Sequence, residues 1–221
     1  MLDTEPATWA GPTASDYERA LWQSLSGPAE PVTLHGGDGL VIRLDVGRYA
    51  ACADPVDENL LEHCAGPTLD IGCGPGRLAA ELARRGVPAL GVDVTPVALL
   101  LARASGATVL RRSVFDRLPA EGRWPHALLI DGNIGISGDP AALLRRIKAL
   151  LKPVGATLTV ETTPHETDER HLLRPPGTDS GPPIPWARIG PHALRTLAEP
   201  LGYAAARDWL LDGRRFVQLR T

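Results

Sequence analysis

Three glycines at alternate positions, Gly72, Gly74 and Gly76, lie in the run Leu69-Asp70-Ile71-Gly72-Cys73-Gly74-Pro75-Gly76. An apolar, strand-like segment precedes the run and an amphipathic, helix-like segment follows it. Glycine serves where a chain turns sharply between a strand and a helix while a ligand touches the backbone. It reaches positive φ and carries no Cβ to hold the ligand off. The helix that starts there offers free N–H groups to an anionic group. Asp93 closes the next strand-like segment, Pro88 to Asp93. An acid about 20 residues past such glycines is placed to accept hydrogen bonds from both hydroxyls of a ribose.

The spacing separates two kinds of nucleoside cofactor. A dinucleotide site reads G-x-G-x-x-G, and its third glycine lets helix and strand pack closely around a pyrophosphate. Counted from Gly72, that third position is Arg77. Asp70 precedes the first glycine, and a carboxylate facing the ligand repels a pyrophosphate. It suits the ammonium of a bound amino acid. S-adenosylmethionine carries that ammonium and no phosphate, so the residues point to it, with S-adenosylhomocysteine as product.

Three segments carry a resemblance: Gly66 to Arg77 (GPTLDIGCGPGR), Ser113 to Pro119 (SVFDRLP) and Asp131 to Ile136 (DGNIGI). From about Leu60 to Leu151 the chain resembles the class I S-adenosylmethionine-dependent methyltransferases, and within them a small bacterial group. The resemblance implies a Rossmann-like, seven-stranded sheet, S-adenosylmethionine as methyl donor and a small-molecule acceptor methylated at O or N. It also implies that Ser113, Val114 and Phe115 flank the adenine. Asp131, Gly132 and Asn133 would then run beside the methionine moiety and the reacting methyl. The cofactor-binding set expected on these grounds is Asp70, Gly72, Cys73, Gly74, Gly76, Asp93, Val94, Ser113, Val114, Phe115, Asp131 and Gly132. Tyr49 is expected to close over the cofactor carboxylate or to pack beside it.

Methyl transfer rests on the alignment of nucleophile, methyl and sulfur. A base helps when the acceptor is a hydroxyl or a protonated amine. Of the six histidines, His63 and His126 read as structural. His165 follows the fifth core strand and is the histidine expected to reach the acceptor. Asn133, both donor and acceptor, is the second candidate catalytic residue. No Asn-Pro-Pro-Tyr, Pro-Cys or strand-five Asp-Asn pair appears, which disfavours ring-amine, cytosine-C5 and metal-dependent catechol chemistry. A metal is not implied. Two rivals stand beside methyl transfer. One is a protein that binds S-adenosylmethionine without methylating, as an accessory subunit or a cyclising enzyme. The other is a nicotinamide-dependent dehydrogenase.

The 221 residues suit one α/β domain with additions, and a net charge of −3 without a basic stripe disfavours nucleic acid as substrate. Cys52, Cys64 and Cys73 show neither pairing nor metal spacing. No signal-like or membrane-length apolar run appears, so a cytoplasmic protein is expected. Oligomeric state is not read from these features.

Residues 1–65 are expected to form an N-terminal cap. It would hold a helix opened by Ser15 and striped by Tyr17, Leu21, Trp22 and Leu25, a hairpin around Gly36-Gly37-Asp38-Gly39, and a helix opened by Asp54-Pro55. Residues 66–221 form the core. Its strands are expected in the order 3-2-1-4-5-7-6, with the last one antiparallel. Asp70, Asp93, Asp131 and Glu161 then fall at strand C-termini, the edge where ligands bind in such sheets. Residues 162–189 show no period and read as a long loop serving as a substrate lid.

Overall fold

The computed structural model describes residues 12–37, 39–177 and 182–221. Helix α1 (Pro12–Ser24) is followed by a hairpin of β1 (Val32–Gly36) and β2 (Val41–Leu44), then by the short helices α2 (Val46–Ala50) and α3 (Pro55–Leu61). The core alternates through β3 (Thr68–Ile71), α4 (Arg77–Arg84), β4 (Ala89–Asp93), α5 (Pro96–Ala104), β5 (Val109–Arg111), β6 (His126–Leu129), α6 (Pro140–Leu150) and β7 (Thr157–Thr162). Strands β8 (Asp168–Arg174) and β9 (Ile184–Ile189), helix α7 (Pro191–Ala198), and strands β10 (Ala204–Leu211) and β11 (Arg214–Arg220) complete the chain.

Seven strands form one sheet in the order β5-β4-β3-β6-β7-β11-β10, with β11 antiparallel to both its neighbours. That is the expected order. Its two faces alternate along each strand, as the pleat requires. Leu129, Leu158 and Val160 turn to the α6 side, where Leu143, Leu144, Ile147 and Leu150 supply a helical stripe. Leu128, Ile130 and Phe216 turn to the α3 and α4 side, against Leu60, Leu78 and Leu82. The winding reverses between β3 and β6, which opens a crevice beyond the strand C-termini.

Two expectations need correction. Helix α1 starts at Pro12, so Ser15 lies inside it rather than capping it. Its inward face is Tyr17, Ala20 and Leu21, packed on Val46 and Ala98, whereas Trp22 is 48% exposed. The second correction is larger. Residues 162–189 are not a loop without regular structure, since they contain β8 and β9. These pair with the N-terminal hairpin in an antiparallel sheet of order β2-β1-β8-β9. The bridging register, His35 to Arg174 and Gly36 to Leu173, joins residues far apart in sequence, which no local period reveals. This second sheet therefore joins the N-terminal hairpin to the segment between β7 and α7. Asp38, in the expected hairpin turn, lies outside the described residues, as do residues 178–181.

Strand β9 is seated directly on the turn that follows β6. A Cβ on Gly135 would lie 2.3 Å from the Ala187 carbonyl oxygen and 2.7 Å from Trp186 Nε1. Among the described residues, no helix is long and apolar enough to cross a membrane.

Candidate active site

The glycine turn is pinned from β4. Gly72 and Cys73 donate their N–H groups to the Val92 carbonyl at 2.8 and 3.1 Å. Asp93 accepts from Gly74 N through Oδ2 at 2.9 Å and from Thr95 N through Oδ1 at 2.8 Å. One carboxylate thus fixes both the ligand-facing bend and the entry to α5. Each of its oxygens still has a lone pair to offer a sugar hydroxyl. Val94 follows directly, and its carbonyl accepts from Arg111 Nε at 3.3 Å.

Asn133 locks the same bend from the other side of the crevice. Its Nδ2 donates to the carbonyls of Ile71 and Gly72, both at 2.9 Å. Gly72 has φ +69°, and a Cβ there would stand 2.6 Å from Asn133 Nδ2. Only glycine lets the two turns meet so closely. Gly132, the residue before Asn133, also has positive φ, as does Asp131.

Asp70 lies beneath the bend rather than in the crevice. Its side chain is buried. Burial pushes its carboxyl up to about 7, Arg77 acting against that and Asp131 and Asp93 adding to it. The folded pKa lies above the unfolded value near 3.9. The neutral acid therefore contributes stability that is full below about pH 4 and is lost as pH rises through about 7. Asp70→Asn removes this dependence. Thermal melts from pH 4 to 8 should show wild type losing up to a few kcal/mol relative to the variant, at about 1.4 kcal/mol per pKa unit.

The acids at the ends of β6 and β7 are turned to arginines. Arg77 bonds Asp57 at 2.7 and 3.1 Å and Asp131 at 2.6 and 3.2 Å. Arg214 reaches Glu161 with two bonds of 2.9 Å and Asp57 with another. Arg48, on α2, pairs with Asp131, and Asp131 N donates to Glu161 Oε2 at 2.8 Å. Asp57 is fully buried. Burial would raise its pKa, but Arg77 and Arg214 hold it down at about 2. Three arginines balance three carboxylates under the crevice, so Asp131 presents its backbone, not a bare charge, to a ligand.

Above this network stand two tyrosines. The Tyr17 hydroxyl is 3.2 Å from where a Cβ on Gly74 would be. Burial, then the nearby charge of Asp93, pushes its phenol up. Tyr49 is raised by burial and by Asp131, and the Arg48 guanidinium stands 5.7 Å over its ring. Among the described residues, Arg48 Nη1 is a buried donor with no hydrogen-bond partner. An orphaned guanidinium N–H is costly unless something accepts from it. A carboxylate at the glycine turn would do so.

The remaining expected residues fall in three places. Cys73 lies in the bend, but its sulfur packs towards Gly91, where a Cβ would be 2.6 Å away. Gly76 is the positive-φ residue that opens α4. Ser113, Val114 and Phe115 follow β5. Phe115 N bonds Ser113 Oγ, Arg146 bonds the Val114 carbonyl, and Val114 and Phe115 pack on the core. The structure does not bring His165 into this assembly. It is exposed, and its carbonyl accepts from Thr163 and Thr167 in the turn before β8. His126 pairs with Thr157, and His63 packs edge-on against Trp209, both structural as expected. Among the described residues, no group of three His, Cys, Asp or Glu could hold a metal. Sequence reasoning missed Tyr17, which read as packing, Arg48, and Arg77, which read only as the absence of a glycine.

Residues 68–155 match the family model of a methyltransferase domain. A ubiquinone biosynthesis O-methyltransferase of Dinoroseobacter shibae is 39% identical over 95 residues, 41% of this chain and 38% of that protein. One from Roseobacter denitrificans is 37% identical over 60% of this chain and 54% of its own length. The chain thus spans about half or less of these relatives. The structure of a SAM-dependent methyltransferase from Bacteroides fragilis, in complex with S-adenosylhomocysteine, superposes with a TM-score of 0.73 at 18% identity, covering 94% of this chain and 93% of that one. The 1,6-didemethyltoxoflavin-N1-methyltransferase of Burkholderia thailandensis superposes with a TM-score of 0.60 at 21% identity, covering 98% and 93%. Residues 68–155 are thus similar to a methyltransferase domain, and the chain has the fold of the S-adenosylmethionine-dependent methyltransferase structures on which it superposes.

Proposed function

We propose that the chain binds S-adenosylmethionine against the glycine turn and transfers its methyl group to an oxygen or nitrogen of a small molecule. The observation that carries this reading is the pair of hydrogen bonds that the Asp93 carboxylate accepts from Gly74 N and Thr95 N. It places a carboxylate at the end of β4, facing the bend, where a ribose would meet it. When bound, the cofactor supplies a methyl already activated on a sulfonium.

The chain's own residues hold and orient. Asp93 takes the sugar hydroxyls. Ser113, Val114 and Phe115 line the ring side. Arg48 Nη1 takes the carboxylate of the amino-acid tail, while Tyr17 and Tyr49 exclude water above it. Asn133 is a positioning residue that fixes the bend, and the backbone from Asp131 to Gly132 runs beside the reacting centre. Arg77, buried between Asp57 and Asp131, occupies the position a dinucleotide site keeps for glycine, which counts against a dehydrogenase. The sheet containing β8 and β9 walls the acceptor side as a lid. Free thiols at Cys52, Cys64 and Cys73 fit a cytoplasmic enzyme.

Arg48→Ala isolates one contact. It should weaken S-adenosylhomocysteine binding about 10- to 100-fold, the worth of a charge-assisted bond. Methylthioadenosine, which lacks the amino-acid tail, should bind both forms alike by calorimetry. The activity itself is tested with methyl-labelled S-adenosylmethionine and a panel of small phenols, alcohols and amines. Label in an acceptor with matching release of S-adenosylhomocysteine supports transfer. Binding without release across the panel favours the accessory role.

A further inference from the structure

Side chains at alternate strand positions share a face. On β8 and β9 the register pairs Glu169 with Arg188, His171 with Trp186 and Leu173 with Ile184. Leu173, Ile184 and Trp186 are buried together with Leu34, and Ile136 of the turn after β6 packs against them. The face that carries His171 is therefore the one packed on the turn that follows β6.

Trp186 marks how near it comes. Its Cζ2 is 3.9 Å from where a Cβ on Gly132 would be, beside the backbone assigned above to the reacting centre. His171 is its cross-strand partner, about 5 Å away on the same face. The His171 side chain is only 8% exposed, and its Nε2 lies 3.1 Å from Glu169 Oε2. Arg188 Nη1 donates to the same Glu169 oxygen at 2.9 Å. An imidazole whose ring is held by a carboxylate, itself held by a guanidinium, is built to accept a proton and keep the resulting charge paired.

We propose that His171 is the acceptor-side base of the methyl transfer, with Glu169 as its positioning residue. The inference rests on the methyl-transfer reading above. As the bond from the methyl carbon to the acceptor oxygen or nitrogen forms, the bond from that carbon to sulfur breaks. Sulfur keeps the bonding pair as a neutral thioether, and the acceptor's proton passes to the His171 imidazole. His165, six residues earlier in the exposed turn, takes no part.

An affinity label tests this without knowing the acceptor. Adenosine carrying a bromoacetamido arm at its 5′ carbon places an electrophile just beyond the methyl position. Peptide mapping should find the alkylated imidazole at His171. Excess S-adenosylhomocysteine should suppress the adduct, and His171→Gln should lose it while still binding S-adenosylhomocysteine in calorimetry. Glu169→Gln should slow labelling without moving that affinity, which a purely structural role for the pair would not produce. An adduct elsewhere, or none, in protein that binds S-adenosylhomocysteine overturns the inference alone. Failure of wild type to bind S-adenosylhomocysteine overturns the reading beneath it.

Discussion

Asp93→Ala should bind S-adenosylhomocysteine about 100-fold more weakly than wild type, or not measurably. Two losses combine. Gly74 N and Thr95 N lose the acceptor that fixes the bend and the start of α5. The ribose hydroxyls lose theirs as well. Bonds to a charged acceptor are worth about 1.5–3 kcal/mol each, so two at the sugar alone account for two or more decades. Asp93→Asn keeps one acceptor oxygen and should fall between the two. Calorimetric titration gives the affinities. A thermal melt separates loss of the ligand contact from loss of the fold, because Asp93 stands at the crevice rather than in the apolar core. An affinity within twofold of wild type would remove Asp93 from the site.

Arg77→Met should be the most destabilising single change among the polar residues. Arg77 is buried between Asp57, which is fully buried, and Asp131. Removing one partner of a buried pair costs about 3–5 kcal/mol, because the remaining charge has lost its counter-ion. For a chain of this size that corresponds to a fall in Tm of about 10 °C. Asp57→Asn in the same chain should recover part of the loss, since the two side chains are in contact and their effects do not add. The gap has a pH signature. Asp57 is held at about 2 in the fold, below its unfolded value near 3.9, so its contribution is present above about pH 4 and fades as pH falls towards 2. Melts of the two proteins should converge over that window. A variant that melts with wild type at pH 7 would show that Arg48 and Arg214 balance the network without Arg77.

The core strands were legible because each β-strand and helix declares itself locally. Leu143, Leu144, Ile147 and Leu150 form a stripe that only a helix can bury on one side, and Gly72, Gly74 and Asp93 carry their meaning in their spacing. The strand order followed from alternation and the handedness of crossovers. What escaped was non-local. Arg214 is 157 residues from the Asp57 it holds, and nothing in either segment announces the other. The four acids at strand ends read as ligand-facing, yet Asp131 and Glu161 are spoken for by arginines and Asp70 lies under the bend. Residues 168–174 have polar side chains on both faces and a pairing partner in the N-terminal hairpin, so a strand there looked like a loop. The histidine judged by position in the chain was His165. The one judged by the face it shares with Trp186 is His171.

A single calorimetric experiment bears most directly on the account: titration of the unmodified protein with S-adenosylhomocysteine and, separately, with NADH. Saturable one-to-one heat with S-adenosylhomocysteine in the micromolar range, and none with NADH, is the predicted result. Heat with NADH alone, or with neither, would contradict a sugar grip at Asp93 and a sulfonium nucleoside at the glycine turn.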